Sequence, residues 1–131
     1  MSSIVNMGYN VYLSEFLRFG KNHYTLFVEM YSNNSGQMFE VEGSIQQGLT
    51  YKSSGPLIPK DDPTFLANHP LGTVSYAKYN EIDPICRRIE PPAKQFEGGK
   101  RINPKVPLRN IPEWLREVIK AMRDQGVLEN Y

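Results

Sequence analysis

The chain has 131 residues, with 15 Lys and Arg against 14 Asp and Glu, and its one cysteine, Cys86, supports neither an intrachain disulfide nor a thiolate-based metal site. Length sets the expectation of a single domain over residues 1–131, and the balanced charge offers no footprint for nucleic acid or for an anionic membrane surface. No apolar run approaches the ~20 residues of a membrane-spanning helix, and the opening MSSIVNMGYN lacks the basic-then-apolar pattern of a secretory leader, so a cytoplasmic, reducing location is the simplest expectation.

The first element is NVYLSEFLRFGKN, Asn10 to Asn22. Val11, Leu13, Leu17 and Phe19 fall on one parity and Tyr12 and Phe16 on the other. A helical face through Tyr12, Phe16 and Phe19 competes, but the density of aromatic and β-branched residues favours a strand, closed by a turn at Gly20-Lys21-Asn22. HYTLFVEMY, His23 to Tyr31, reads as a second strand with Tyr24, Leu26, Val28 and Met30 on one face. SNNSG then turns the chain, since Asn33, Asn34 and Gly36 tolerate positive φ, and QMFEVEG returns as the partner strand. SIQQGLTYKSSG extends the sheet through Leu49 and Tyr51.

Four prolines between Pro56 and Pro70 predict a loop, with a short helical turn near Thr64 to Ala67. GTVSYAKY, Gly72 to Tyr79, is a further strand. Asp83 then fits an N-cap and Pro84 the first helical position of PICRRIE. The long proline- and lysine-bearing loop PPAKQFEGGKRINPKVP follows, a length that implies function, mobility or packing over something. In the last element Ile111, Trp114, Leu115, Val118, Ile119 and Met122 recur at helical spacing. Asn110 and Glu113 form a capping box at its start, and Gly126 stands where the chain leaves the helix.

Taken together, NVYLSEFLRFG, HYTLFVEM, GQMFEVEG and LRNIPEWLREVIKAMRDQGVL resemble a family of small, mostly uncharacterised fungal proteins. Typical members carry His-Trp-Ala-Leu at the second strand, Tyr-His-Val at the third, and a closing helix beginning Asn/Arg-Cys-Gln-x-Trp. Strand histidine first and helix cysteine last is an order similar to that of the circularly permuted NlpC-like branch of the papain-like thiol hydrolases, whose best-known relatives are the lecithin:retinol acyltransferases. The resemblance implies an α+β fold, an antiparallel sheet packed by a C-terminal helix around an NlpC-like, permuted papain-like core. It also implies a helix-borne thiolate with a strand histidine as base. His23 matches the strand histidine and Trp114 the helix tryptophan. Ile111 stands where the cysteine belongs, Pro112 where the glutamine belongs, and Glu40 at the histidine of the third strand. An isoleucine has no lone pair and no ionisable proton, so no acyl-enzyme forms there.

The residues that remain allow several roles. His23 is either an ordinary strand residue or a proton-exchanging group in a pocket. Glu40 is either solvent-facing or the partner of His23 in an acid–base pair, with Glu29 and Glu42 as competitors. His69 reads as a loop residue before proline, Cys86 as a small buried hydrophobe, and Trp114 as core or pocket floor. Lys94, Lys100, Arg101, Lys105 and Arg109 read as a solvated surface or an anion contact. No phosphate-binding glycine loop, zinc spacing or Gly-x-Ser-x-Gly elbow is present, and neither cofactor nor metal is implied. Three functions follow as expectations: an altered NlpC-like domain binding a small molecule or a protein partner in the ancestral cleft; an isomerase, cyclase or lyase of fungal secondary metabolism using His23 and Glu40; and a thiol hydrolase or acyltransferase that has recruited Cys86.

Overall fold

Alternation along the first three strands sends two sets of apolar side chains to opposite faces, and each set finds its own cover. The computed structural model describes residues 7–130, so most of the N-terminal segment assessed for a leader lies outside the described residues. The strands are β1 (Gly8–Arg18), β2 (Lys21–Glu29), β3 (Gly36–Ser44), β4 (Gly48–Leu57) and β5 (Phe65–Ser75). They form a five-stranded sheet in the order β4-β3-β2-β1-β5, antiparallel at every pairing. Helix α1 (Ile82–Arg88), a small β6 (Phe96–Glu97) and β7 (Lys100–Arg101) hairpin, and helix α2 (Ile111–Asp124) complete the chain. The α+β architecture with a C-terminal helix is the expected one.

The inner face carries the main core. Val11, Leu26, Val28, Phe39, Val41 and Val74 from the sheet meet Ile82, Ile85 and Cys86 of α1 and Trp114, Leu115, Val118 and Met122 of α2. The predicted β2 face holds, with Tyr24 and Met30 packed against the same cluster as Leu26 and Val28. Each fully buried side chain of α2 contributes roughly 1.5–3 kcal/mol. The outer face holds a smaller cluster of Phe16, Phe27 and Met38, against which Tyr12, Leu57 and Phe65 pack. Leu57 and Phe65 flank the crossover from β4 to β5, so that connection covers part of the outer face.

Helix α2 follows its sequence closely. Asn110 and Glu113 make the reciprocal capping box. Gly126, at φ +71°, lets its own N–H reach the Arg123 carbonyl and that of Val127 reach the Met122 carbonyl, the paired bonds of a Schellman stop. In the β2–β3 turn only Asn34 takes positive φ. Gly36 is needed for another reason: a Cβ there would lie 1.8 Å from the Val28 carbonyl oxygen.

Several boundaries differ from expectation. The first turn is Phe19-Gly20, both at positive φ, and β2 begins at Lys21 rather than His23. The predicted Pro56–Pro70 loop is strand at both ends: β4 runs to Leu57 and β5 begins at Phe65. Both are edge strands, where the N–H that proline lacks faces away from any ladder. The short helical turn lies at Pro59–Asp61, not Thr64–Ala67. Residues 76–79, expected in a strand, have left the sheet. Asp83 is not an N-cap, because a 3-10 turn over Tyr79–Glu81 feeds straight into α1. Its carboxylate accepts instead from Tyr51 Oη and Arg87 Nε, each at 2.7 Å.

Candidate functional site

β2 and β3 pair only between Leu26–Glu29 and Gly36–Phe39. The β1–β2 ladder nevertheless continues to Lys21, and the β3–β4 ladder to Ser44. The two hairpins therefore part below Leu26 and Phe39, and the sheet forks. The first turn of α2 closes the fork from the inner side. Between them lies a groove of about 550 Å³, walled by His23 and Tyr24 of β2, Glu42 and Ser44 of β3, and Ile111 and Pro112 of α2. That volume lies in the usual range for a small-molecule site.

The long loop braces this groove. The Leu49 N–H donates to the Pro92 carbonyl at 2.9 Å and the Gln95 N–H to the Ile45 carbonyl at 2.7 Å. The Gln95 side chain clasps the backbone of Arg109, accepting from its N–H at 2.8 Å and donating to its carbonyl at 2.6 Å. One glutamine thus ties the β3–β4 hairpin to the residue preceding the α2 cap. Nothing local in PPAKQFEGG distinguishes Gln95 from its neighbours.

His23 and Glu40 meet where the fork closes, Nε2 to Oε1 at 3.0 Å, with their side chains 14% and 5% exposed. Both lie on the outer parity, His23 opposite Phe16 in the β1–β2 register. Of the carboxylates weighed against each other, Glu40 is the one in contact. Glu42 instead pairs with Lys52 at 3.1 Å, and Glu29 stands at the far end of β2 opposite Gly36. Thr25, fully buried between His23 and Phe27 on that parity, has a hydroxyl with no hydrogen-bond partner among the described residues.

Ile111, where the resemblance places a cysteine, is half-buried in the groove wall. Cys86 lies on the inner side of the sheet, fully buried, and burial pushes its thiol up to about 12. A thiol so protonated is a poor nucleophile near neutral pH. Trp114 is core: it is fully buried and its Nε1 donates to the Ile89 carbonyl at 2.9 Å.

A family of unknown function (DUF6540) matches residues 11–129. The chain belongs to that family. No curated protein and no solved structure matches it.

The DUF6540 match runs from within β1 to just beyond α2, so the whole groove falls inside it. This DUF6540 chain also holds a second histidine–carboxylate pair, which no local sequence pattern marks because its members lie 54 residues apart. Glu15 accepts from His69 Nε2 at 2.8 Å and from Tyr24 Oη at 3.1 Å, and also from the Asn22 amide. The hydrogen bond from His69 leads the effects that hold the Glu15 carboxyl below its ordinary value. His69, expected in a loop, is on β5 opposite Leu13. The basic stretch is largely occupied internally. Lys94 pairs with Glu97, Arg101 donates to the Asn103 and Val106 carbonyls, and Arg109 forks onto Glu117. Among the described residues no group of three or more His, Cys, Asp or Glu is placed to hold a metal ion, and no helix is long and apolar enough to cross a membrane.

Proposed function

We propose that this chain binds a small organic ligand in the forked groove, as a relative of the NlpC-like thiol hydrolases that has lost covalent chemistry. The observation that carries the reading is the groove itself: an opening of about 550 Å³ at the N-terminus of α2, with His23 in one wall and Ile111 in the other. Its chemistry suits a ligand with both polar and apolar parts. The His23 ring nitrogen not engaged by Glu40 and the side-chain oxygens of Asn22 and Tyr24, whose donors serve Glu15, offer hydrogen bonds, the forked strands add backbone groups released from their ladder, and Ile111 with Pro112 supplies an apolar surface. A dimension of this kind favours a small molecule over the broad surface of a protein partner.

The test is a thermal-shift screen of metabolites, because a ligand that binds only the folded state raises apparent stability, by about 2.7 kcal/mol at a hundred times its Kd. Hits should vanish in Ile111→Trp, which fills the groove, and weaken in His23→Ala. A hit whose shift survives both variants binds elsewhere, and such a result would sink the reading.

A second reading is favoured by the 3.0 Å contact between His23 and Glu40. A buried carboxylate that orients an imidazole suits general acid–base work, as in an isomerase, cyclase or lyase of secondary metabolism. Turnover of a groove ligand that disappears in His23→Gln while binding persists would favour this reading over simple binding. For the thiol reading, native Cys86 should resist a thiol reagent such as dithionitrobenzoate until the chain is unfolded; rapid native labelling would revive it.

A further inference from the structure

The outer face of the sheet holds a second cavity, of about 430 Å³, which shares only Arg18 with the lining of the groove. It lies under the crossover from β4 to β5. Its floor is apolar, made by Phe16 and Met38 of the outer cluster with Leu57 beside them. Its charged groups are unequally engaged. The Arg18 guanidinium lies 4.6 Å from the Phe16 ring centroid and is held by Asp62 at 3.1 Å. Lys52 is drawn to Glu42 at 3.1 Å. Both cations are therefore already neutralised. Asp61, exposed at the rim, has no ion-pair partner among the described residues. Glu40, nearly buried in the wall and opposite Lys52 in the β3–β4 register, is met at Oε1 by the His23 imidazole, and among the described residues no hydrogen bond or ion pair reaches its other oxygen. The cavity thus presents an apolar floor with two carboxylates left to meet a positive charge.

We infer that this outer cavity is a second binding site, for a small organic ammonium ion with an apolar body, and that Glu40 links it to the groove through His23. The apolar body rests on Phe16 and Met38, and the ammonium group lies between Asp61 and the free oxygen of Glu40. A cation there competes with His23 for the Glu40 carboxylate, so occupancy of the outer cavity reaches an imidazole that walls the groove. The inference does not depend on what the groove binds.

Two probes with the same phenethyl body separate the possibilities: phenethylamine, which is cationic, and 3-phenylpropanoate, which is anionic. Titrated into the isotope-labelled full chain, phenethylamine is expected to shift the backbone amides of Met38, Ser54, Leu57 and Asp61, and to move the His23 ring signals. The propanoate is expected to do neither. Asp61→Asn, an exposed and structurally mild change, should weaken the amine about fivefold, the effect of one partly solvated charge pair. Glu40→Gln should abolish the response of the His23 ring, and Met38→Trp should fill the cavity and remove binding. Equal binding of the two probes, unchanged affinity in Asp61→Asn, shifts confined to groove residues such as Ser44 and Ile111, or no shifts at millimolar amine would each overturn the inference.

Discussion

The sheet has two faces built from the same alternating strands, and they have been finished differently. The inner face is sealed by α1 and α2 over a continuous apolar core. The outer face keeps a small aromatic and methionine cluster under one crossover, and the remaining space holds a buried acid, a histidine and a cavity. Each face carries a histidine–carboxylate pair. On the outer face His23 and Glu40 are 14% and 5% exposed. On the inner parity, within the edge strand β5, His69 and Glu15 are 51% and 14% exposed. The same chemistry is cheap to hold in water and costly to hold in a protein interior, so the buried pair is the one expected to bear on function.

Four changes sharpen or break that contrast. The largest effect is expected at the sealed face, where Trp114→Ala should cost ~3–5 kcal/mol in urea unfolding; an unchanged midpoint would mean that α2 does not anchor the core. Next comes Glu40→Ala, which strips a partly buried imidazole of its partner and should cost about 1–3 kcal/mol. If that variant were as stable as the parent, the outer pair would be no more embedded than the inner one.

A smaller effect is expected at the rim of the inner face, where Arg109 holds the Glu117 carboxyl below its ordinary value. A depressed carboxylate stabilises the fold above its unfolded pKa, about 4.3, and that contribution fades as pH falls through the lower folded value. Stability of Glu117→Gln should therefore decline less steeply than the parent's as pH is taken from about 5 towards 3; parallel curves would show the pair to be energetically idle. The smallest effect belongs to His69→Asn, which removes one member of the exposed pair and should change stability by less than about 1 kcal/mol. A loss comparable to that of Glu40→Ala would erase the distinction between the two faces.

Much of the fold was legible residue by residue. The inward face of β2 follows from alternation, and both ends of α2 follow from Asn110, Glu113 and Gly126. The third and fourth strands were also visible. Of β5 only the Gly72–Ser75 end was, because Pro70 and His69 look like loop residues until the strand is known to lie at an edge. Of the candidate site, His23 and Glu40 were singled out from the sequence. The fork that opens a groove beside His23, the clasp by Gln95 and the second pair at Glu15 were invisible.

What the sequence by itself determined is whatever depends on neighbours within a turn or two: which residues alternate, where a helix starts, where a glycine lets it stop, and that no sulfur stands at residue 111. Only the tertiary structure decided which carboxylate meets which histidine. Glu15 and His69 are 54 positions apart, and His23 reaches Glu40 only because two hairpins separate at that level of the sheet. Strand order and the point where a ladder ends are set by the packing of the whole sheet against its helices, and no local pattern of side chains encodes them.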